Sequence, residues 1–407
     1  MCSHARLGAR KFCTLRTVPQ SFDPFDTELI FRKRTTSQLI ASAFIFKALA
    51  NTAAVDVAIS CTRTILARDS PRLLKLFAEN SIKMTVLRFF CAGENFEECV
   101  QLSSKLHRDE NISTIADYST EELDSEAGFD SNLKNKINLL LSASEFSDNG
   151  IKFIPLKCTS LIDSPMLERL TELIKQSEMS GDCGETCLRN SVAAMGVGDK
   201  KNFFDGLVRF ESICDAARAN NIAILLDAEQ SNRQPAIEII AQILSEKYNK
   251  KGQVPVVYNT YQAYLKRTIG ALSRDMEMAD SRQYVLAAKV VRGAYMQSER
   301  SAFTARQQTV HVNEEAPIWP SKAETDLAYD SAISKLLHSI ALSEILCSEI
   351  RNKPVVMIAS HNRGSIEAAV AAMRTLNIPN DHPNVQFAQI LGMSDHITTS
   401  LANSGMS

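Results

Sequence analysis

The chain has 407 residues, of which 45% are hydrophobic and 23% charged, and its formal net charge is -2. This composition is sufficient for a substantial core, and the near-neutral charge without a basic stripe argues against a nucleic-acid-binding protein. Ten scattered cysteines form neither a disulfide framework nor paired CxxC motifs, so we expect a globular protein of a reducing compartment. Cys183 and Cys187 are the only close pair, which is a weak basis for a metal site.

Residues 1–22 resemble a mitochondrial presequence in composition. No acidic residue precedes Asp23, and the segment contains Arg6, Arg10, Lys11 and Arg16. Basic, acid-free N-termini of this kind are typical of mitochondrial targeting. A disordered basic tail would have the same composition, so that alternative stays open.

Residues 23–149 have a mostly helical pattern and are predicted to form a helical N-terminal segment. Their most apolar stretch runs from Leu39 to Ile59, but Lys47, Asn51 and Asp56 interrupt it. It therefore falls short of the roughly 18 uninterrupted apolar residues of a spanning helix. The acidic stretch 117–130 is interpreted as a helix start or surface loop rather than a binding site.

From residue 150 onward, short β-branched runs alternate with longer helical patterns, which is typical of βα units around a parallel sheet. The helix between the first two strands has apolar residues at Phe203, Leu207, Phe210, Cys214 and Ala217, and ends at Asn220 and Asn221. Residues 179–201 are rich in glycine and polar residues and are predicted to be an inserted loop. The predicted strands are Ile151–Leu156, Ile222–Leu226, Val254–Asn259, Tyr284–Val291, Val355–Ala359 and Val385–Ile390.

Polar side chains follow most of these strands. In a (β/α)₈ barrel the carboxyl ends of the strands meet on one face, where active sites lie. We therefore expect one site containing a lysine, two carboxylates, a glutamine, an arginine, a tyrosine and a histidine. These residues are Lys157, Asp227, Glu229, Gln262, Arg292, Tyr295 and His361.

Several of these residues also have an ordinary structural interpretation. Asp227 could cap a helix, although Glu229, two residues later on the same strand, favours a shared site. His361 could be a core histidine, but Asn362 and the helix start after it favour a cofactor or anion contact. Arg292 could be a surface arginine, while Gly293 beside it would permit close approach to a phosphate.

The sequence lacks the motifs of self-sufficient catalysis. It contains neither a nucleophile elbow nor HExxH, and Gly196-Val197-Gly198 lacks the strand and third glycine of a dinucleotide fingerprint. The polar residues are therefore interpreted as binding a cofactor that performs the chemistry. An aldolase that uses Lys157 as a Schiff-base amine remains an alternative, but it leaves the other motifs unexplained.

The same stretches resemble the proline dehydrogenase family of eukaryotic mitochondria. The likeness runs in order from about Phe22 to Gly405, and the ordered combination is more specific than any single motif. The matching segments are FCAGE (90–94), FIPLKCT (153–159), FDG (204–206), LDAE (226–229), YNTYQAYL (258–265), KVVRGAY (289–295), TD (325–326), SHN (360–362) and FAQILGM (387–393).

This resemblance implies a distorted (β/α)₈ barrel over residues 150–407 that binds FAD and oxidises L-proline to 1-pyrroline-5-carboxylate. Electrons would pass to ubiquinone, and the enzyme would lie in the mitochondrial matrix with a possible peripheral contact to the inner membrane. Lys157, Asp227 and Tyr295 would lie on the substrate side. The flavin would be lined by Gln262, Lys289, Arg292, Gly293, Ser360, His361 and Asn362.

The resemblance departs from the family at the end of the chain. The family continues with a last strand and a helix carrying an arginine pair that binds the substrate carboxylate, whereas this sequence ends after Gly405, Met406 and Ser407. The expectation is an incomplete barrel with weak or absent proline turnover. The alternatives are a short isoform with a structural or assembly role, and a hydroxyproline dehydrogenase.

Overall fold

A computed structural model describes residues 22–66, 71–83, 87–117, 125–145, 150–182, 184–309, 315–346 and 353–406. The expected presequence lies almost entirely outside these residues. Cys183 and residues 118–124 of the acidic stretch 117–130, which was interpreted as a helix start or surface loop, also lie outside them.

The described residues contain one sheet of seven parallel strands, in the order in which they occur along the chain. All six predicted strands are present, but the second, third, fourth and sixth have different limits. The first strand was not predicted because its two residues are too few to form a strand pattern. The strands are β1 (Thr114–Ile115), β2 (Ile151–Leu156), β3 (Ala223–Leu226), β4 (Val257–Gln262), β5 (Ala287–Val291), β6 (Val355–Ala359) and β7 (Val385–Ala388).

Helices precede the sheet and connect its strands, so the fold is an α/β barrel with a helical N-terminal layer. The helices before β2 are α1 (Thr27–Phe31), α2 (Thr36–Leu49), α3 (Thr52–Leu66), α4 (Arg72–Ile82), α5 (Arg88–Phe90), α6 (Phe96–Glu110) and α7 (Glu126–Glu145). Those after β2 are α8 (Ser164–Met179), α9 (Gly184–Ala194), α10 (Val197–Ala219), α11 (Gln234–Tyr248), α12 (Thr268–Arg282), α13 (Met296–Thr309), α14 (Lys322–Ile345), α15 (Arg363–Thr375) and α16 (Asp395–Asn403).

The prediction of an inserted loop at 179–201 is wrong. Residues 184–194 form α9, and Gly196 becomes the N-cap of α10 rather than part of a nucleotide loop. Cys187 is buried where α9 packs on α8, with its thiol directed at the Ile174 carbonyl. The content of glycine and polar residues suggested a loop. A short helix forms here nevertheless, because packing of one buried face against a neighbouring helix is enough to stabilise it. The five apolar positions predicted for the following helix are all buried on α10.

The two faces of the sheet carry different residues because side chains alternate along each strand. Residues such as Ile224 and Ile358 pack outward against the helices. An inner layer fills the lower barrel, with Phe153 meeting Tyr258 edge to face at 5.6 Å between ring centroids. Its buried members are Ala223, Leu225, Tyr258, Val285, Ala287, Val355 and Met357.

The N-terminal layer is attached to the far end of the barrel domain. The Asp23 amide donates to Ser400 Oγ on α16 at 3.2 Å, and Arg34 pairs with Asp395 at 3.6 Å. Gly392, with φ +79°, lies so close to Phe89 that a Cβ would be 2.3 Å from its carbonyl oxygen. The chain entering the fold therefore packs against its last described helix.

A buried carboxylate connects β4 to two outer helices. Asp275 on α12 accepts hydrogen bonds from the Tyr261 hydroxyl at 2.5 Å and from Gln242 Nε2 on α11 at 2.8 Å. Burial, together with the nearby Glu238 carboxylate, raises the pKa of Asp275 to about 6, although the Tyr261 and Gln242 hydrogen bonds oppose the shift. The folded protein thus holds a proton that the unfolded chain releases near its ordinary pKa of 3.8.

Asp275→Asn tests this assignment. A folded-state pKa above the unfolded value means that the parent loses stability as the pH rises through this interval, whereas the amide does not titrate. The free energy of unfolding of the variant should therefore improve relative to the parent by up to about 3 kcal/mol between pH 4 and pH 7, at about 1.4 kcal/mol per pKa unit. Urea titrations at several pH values measure this difference, with Glu277→Gln on the exposed side of the same helix as the control. A difference that does not vary with pH would contradict the assignment.

Candidate functional site

A cavity of about 1780 Å³ is lined by residues of the curled sheet and of the segments that follow its strands. It exceeds the roughly 300–1,000 Å³ of pockets for small ligands. The ten residues assigned to substrate or cofactor contact in the sequence analysis all line it. They are Lys157, Asp227, Gln262, Lys289, Arg292, Gly293, Tyr295, Ser360, His361 and Asn362.

Strand alternation explains how these side chains come together. On β4, Thr260 and Gln262 face the cavity, two residues apart, while Tyr261 between them points outward to Asp275. Lys289 and Val291 repeat this spacing on β5. Inward-facing side chains near the amino ends of the strands pack together inside the barrel. Inward-facing side chains near the carboxyl ends line the cavity instead.

An ion pair crosses the mouth of the barrel. Lys289 Nζ on β5 donates to Asp227 Oδ1 in the loop after β3 at 2.9 Å. Both side chains are more than half buried, so the pair is less screened by solvent than a surface salt bridge. Lys157 lines the same cavity, and its ammonium has no hydrogen-bonding partner in the part of the chain that the structure describes.

The sequence analysis missed two charged residues beside this pair. Asp117 follows β1 and lines the cavity, so excluding 117–130 from the binding site was wrong for this residue. Lys136 on α7 is buried and donates to the Pro155 carbonyl oxygen at 3.2 Å. Burial raises the pKa of Asp117, against the attraction of Lys136, and burial lowers the pKa of Lys136. The rule that polar residues follow barrel strands would have identified Asp117 if β1 had been recognised.

Glu229 does not line the cavity, which corrects its assignment to the site. β3 ends at Leu226, so Asp227 and Glu229 do not share one face of a strand. The buried Glu229 carboxylate accepts from the amide and hydroxyl of Thr159, both at 3.1 Å, and the Glu229 carbonyl accepts from Gln262 Nε2 at 2.8 Å. Glu229 therefore orients Gln262, which lines the cavity, without lining the cavity itself. The alternative role of Asp227 as a helix cap is also wrong, because the N-cap of α11 is Arg233.

The Arg292 guanidinium is held by four neighbours. Its nitrogens donate to Asp326 Oδ1 at 2.7 Å, Ser360 Oγ at 2.7 Å and Ser365 Oγ at 2.9 Å. One face of the guanidinium lies over the Tyr329 ring, 4.4 Å from the centroid. Burial opposes the effect, yet hydrogen bonds from Lys322 and Arg292 hold the pKa of Asp326 below its ordinary value. A fixed cation thus lies beside the cavity.

The segment from Ser360 to Asn362 leads into α15 next to Arg292. Asn362 caps this helix, since its side-chain oxygen accepts from the Ser365 amide at 3.2 Å. Ser360 Oγ accepts from the Asn362 amide at 3.0 Å as well as from Arg292. A helix N-terminus and an arginine together form a region that attracts anions.

Gly293 is required by internal packing. Its φ is +114°, and a Cβ at this position would lie 2.0 Å from the Tyr264 ring. The sequence analysis explained this glycine by the close approach of a phosphate. Packing against the Tyr264 ring explains it without a ligand. Tyr295 packs against the cluster of Tyr264, Leu265 and Ile318 and also lines the cavity.

Four polar atoms around the cavity are buried without a hydrogen-bonding partner among the described residues. They are Thr114 Oγ1, Thr260 Oγ1, His361 Nδ1 and Gln389 Nε2. Burial lowers the pKa of His361, so its ring is neutral at physiological pH. Buried polar atoms normally have hydrogen-bonding partners. These atoms are therefore suited to bind a polar ligand in the cavity. No group of metal ligands occurs in the described ranges.

The family model described as proline dehydrogenase matches residues 100–407. Proline dehydrogenase 1, mitochondrial, from Dictyostelium discoideum is 29% identical over 93% of this chain and 66% of that protein. Hydroxyproline dehydrogenase from Bos taurus is 30% identical over 80% of this chain and 71% of that protein.

Among solved structures, proline utilization A from Bdellovibrio bacteriovorus matches with a TM-score of 0.62 and 18% identity. The match covers 81% of this chain and 31% of that chain, and supports the barrel fold. The chain thus spans about two thirds of the length of the Dictyostelium relative and under a third of the solved chain.

Arg292→Lys tests the network beside the cavity. A lysine ammonium cannot bridge Asp326, Ser360 and Ser365 together or stack on Tyr329, because it lacks the planar fork of the guanidinium. We expect the free energy of unfolding to fall by about 1–3 kcal/mol, as for a lost hydrogen bond to a charged group. Urea unfolding measures this loss, and Arg374→Lys on the exposed side of α15 serves as the control. Equal stability of both variants would show that the network is not formed.

Proposed function

The chain belongs to the proline dehydrogenase family, and from this we propose that it oxidises L-proline to 1-pyrroline-5-carboxylate with FAD as the electron acceptor. This is the first step of proline catabolism. In the reaction, the pyrrolidine ring loses a hydride from the carbon next to nitrogen and a proton from the nitrogen.

The observation that carries this proposal is the division of the cavity into two charged regions. Lys157 and the Asp227–Lys289 pair lie on the side of the mouth formed by β2, β3 and β5. Arg292 and the N-terminus of α15 lie on the side of the same mouth formed by β5 and β6, and Lys289 on β5 borders both regions. A small zwitterion fits the first region, and a dinucleotide with its diphosphate fits the second.

The residues of the second region fit FAD. When bound, FAD supplies the two-electron oxidant that the protein side chains lack. Arg292 and the start of α15 would hold the diphosphate, while Gln262, Lys289 and His361 would border the ring system. The partnerless atoms of Thr260 and His361 provide hydrogen-bonding capacity that such a ligand would use. Ser360 and Asn362 would act by fixing Arg292 and the helix start, since both are hydrogen-bonded within the protein.

The residues of the first region have distinct roles toward proline. Lys157 would bind the carboxylate by a charge-assisted hydrogen bond. Asp227 would face the ring nitrogen, with its second carboxylate oxygen turned away from the Lys289 bond. Tyr295 would pack its ring on the pyrrolidine and help to exclude water.

Hydroxyproline is the second candidate substrate. The bovine relative that matches at 30% identity is named hydroxyproline dehydrogenase. The large volume of the cavity leaves room for one additional hydroxyl group. Both substrates require the same carboxylate and nitrogen contacts, so the assignment of Lys157 and Asp227 does not depend on which is preferred.

Mitochondria are the proposed location, since relatives from Dictyostelium discoideum and Drosophila melanogaster are named mitochondrial. The matrix side of the inner membrane and ubiquinone as the final acceptor are further parts of the proposal. They follow the family resemblance, and a membrane quinone requires that the barrel approach the bilayer.

Anaerobic reduction tests the function. The 407-residue chain, loaded with FAD, should lose its long-wavelength flavin absorbance on addition of L-proline or of trans-4-hydroxy-L-proline, and the ratio of rates identifies the substrate. Flavin that binds but is reduced by neither amino acid would contradict the proposal.

Lys157→Met tests the carboxylate contact. Loss of one charge-assisted hydrogen bond, worth about 1.5–3 kcal/mol, should lower kcat/KM by about 10- to 150-fold. The flavin content should be unchanged, because Lys157 is assigned to the substrate and not to the cofactor. Lys175→Met on the exposed face of α8 is the control. Activity retained within twofold in Lys157→Met would remove this residue from the site.

A further inference from the structure

Helices α2 and α3 differ from the other long helices in their exposure. The structure shows no buried residue in α2, although its composition is strongly apolar. Ile40 and Phe44 on α2 are 65% and 74% exposed, and Val57 on α3 is 62% exposed. We call this pair, residues 36–66, the α2–α3 arm.

The apolar side chains of α2 surround the helix instead of forming one stripe. At 100° per residue, Leu39, Ile40, Phe44, Ile45 and Phe46 point in five directions spread over the full turn. A helix that is apolar on every side is buried either in a large core or in a membrane. A groove on a partner protein or on a second copy would cover only one side of α2.

The charge at the base of the arm and on α2 complements an anionic surface. Arg32, Lys33 and Arg34 precede the arm and Lys47 lies on α2, while no acidic residue occurs between Glu28 and Asp56 on α3. Lys33 donates to the Asp109 carbonyl and Arg34 pairs with Asp395, so the base of the arm is fixed to the body of the protein. Lys47 is exposed beside the apolar side chains, where it can meet lipid phosphates.

The length of the arm favours insertion into one leaflet. With 14 residues, α2 is about 21 Å long, less than the roughly 30 Å of a hydrocarbon core. In the described residues, no single helix has both the length and the apolarity to cross a bilayer, whereas α2 and α3 reach them only as a pair bent by 90°. A bent pair of this kind fits a segment that enters and leaves the same leaflet, so that lipid surrounds α2 on all sides.

The arm meets the rim of the cavity. The Phe46 ring lies edge to face with the Phe90 ring, with 6.3 Å between centroids. Phe90 and the following residues to Asn95 line the cavity. A lipid surface that covered Phe46 would therefore lie next to the route into the barrel.

We propose that the α2–α3 arm inserts into the surface of an anionic bilayer and places the mouth of the cavity beside the membrane. This rests on the proposed function insofar as a membrane quinone is the electron acceptor. Binding of the arm to lipid, however, requires neither proline nor flavin. Failure of lipid binding is thus distinguishable from failure of proline oxidation.

Vesicle flotation of the full 407-residue chain tests the proposal. The chain should float with phosphatidylcholine vesicles that contain cardiolipin, and more weakly with phosphatidylcholine alone or at high salt. The double variant Ile40→Asp/Phe44→Asp should bind at least about tenfold more weakly, because two apolar anchors are replaced by charges that anionic lipid repels. The matched control is Phe204→Asp/Val208→Asp, an exposed pair at the same spacing on α10.

A second measurement reports the depth of the arm. In a Trp319→Phe background, Phe44→Trp places the only indole on α2, and brominated acyl chains should quench its fluorescence. The proposal is overturned if both double variants float like the parent, or if brominated lipid leaves this fluorescence unchanged. It is also overturned if the α2 variant separates a dimer in sedimentation while the parent ignores vesicles, since the arm would then join two copies.

Discussion

The parallel hydrogen-bond ladder from β1 to β7 is the constraint on which the site depends. Because the strands follow one another in chain order and run in one direction, every carboxyl end reaches the same mouth. Side-chain alternation then fixes which residues face inward. Lys157, Gln262, Lys289 and Arg292 come from widely separated parts of the sequence, yet they line a single cavity for this reason.

Neighbouring side chains hold two of the charged groups that line the cavity in fixed positions. Arg292 is held by Asp326, two serines and the Tyr329 ring, and Lys289 is held by Asp227. Fixed charges in a partly buried site do not have to reorganise during a reaction, which is where preorganised sites gain their effect. Glu229 and Asn362 extend this fixation from outside the cavity, through Gln262 and the start of α15.

The sequence allowed the strand order and the inward residues to be predicted because β-branched runs and the polar residues after them are local signals. It could not reveal β1, since two residues carry too little pattern, and Asp117 was missed with it. The assignment of 179–201 to a loop failed because burial of Cys187 against α8 outweighs the weak helix propensity of the segment. Glu229 was misplaced because strand β3 ends at Leu226, so the alternation of a strand does not extend to Asp227 and Glu229. These errors concern tertiary contacts that no local window contains.

The N-terminal layer contacts both the last described helix and the rim of the cavity. It is fastened to α16 near Ser400 and Asp395, and its exposed arm reaches the cavity rim at Phe46 and Phe90. One polypeptide thus carries both the proposed redox site and a surface suited to lipid.

The central claim is that one barrel mouth holds the cofactor and the substrate in adjacent charged regions. A crystal structure of the FAD-loaded chain with a proline analogue tests this most directly. The account predicts the diphosphate at Arg292 and the start of α15, and the carboxylate of the analogue at Lys157. Cofactor bound away from Arg292, or an analogue that contacts neither Lys157 nor Asp227, would contradict it.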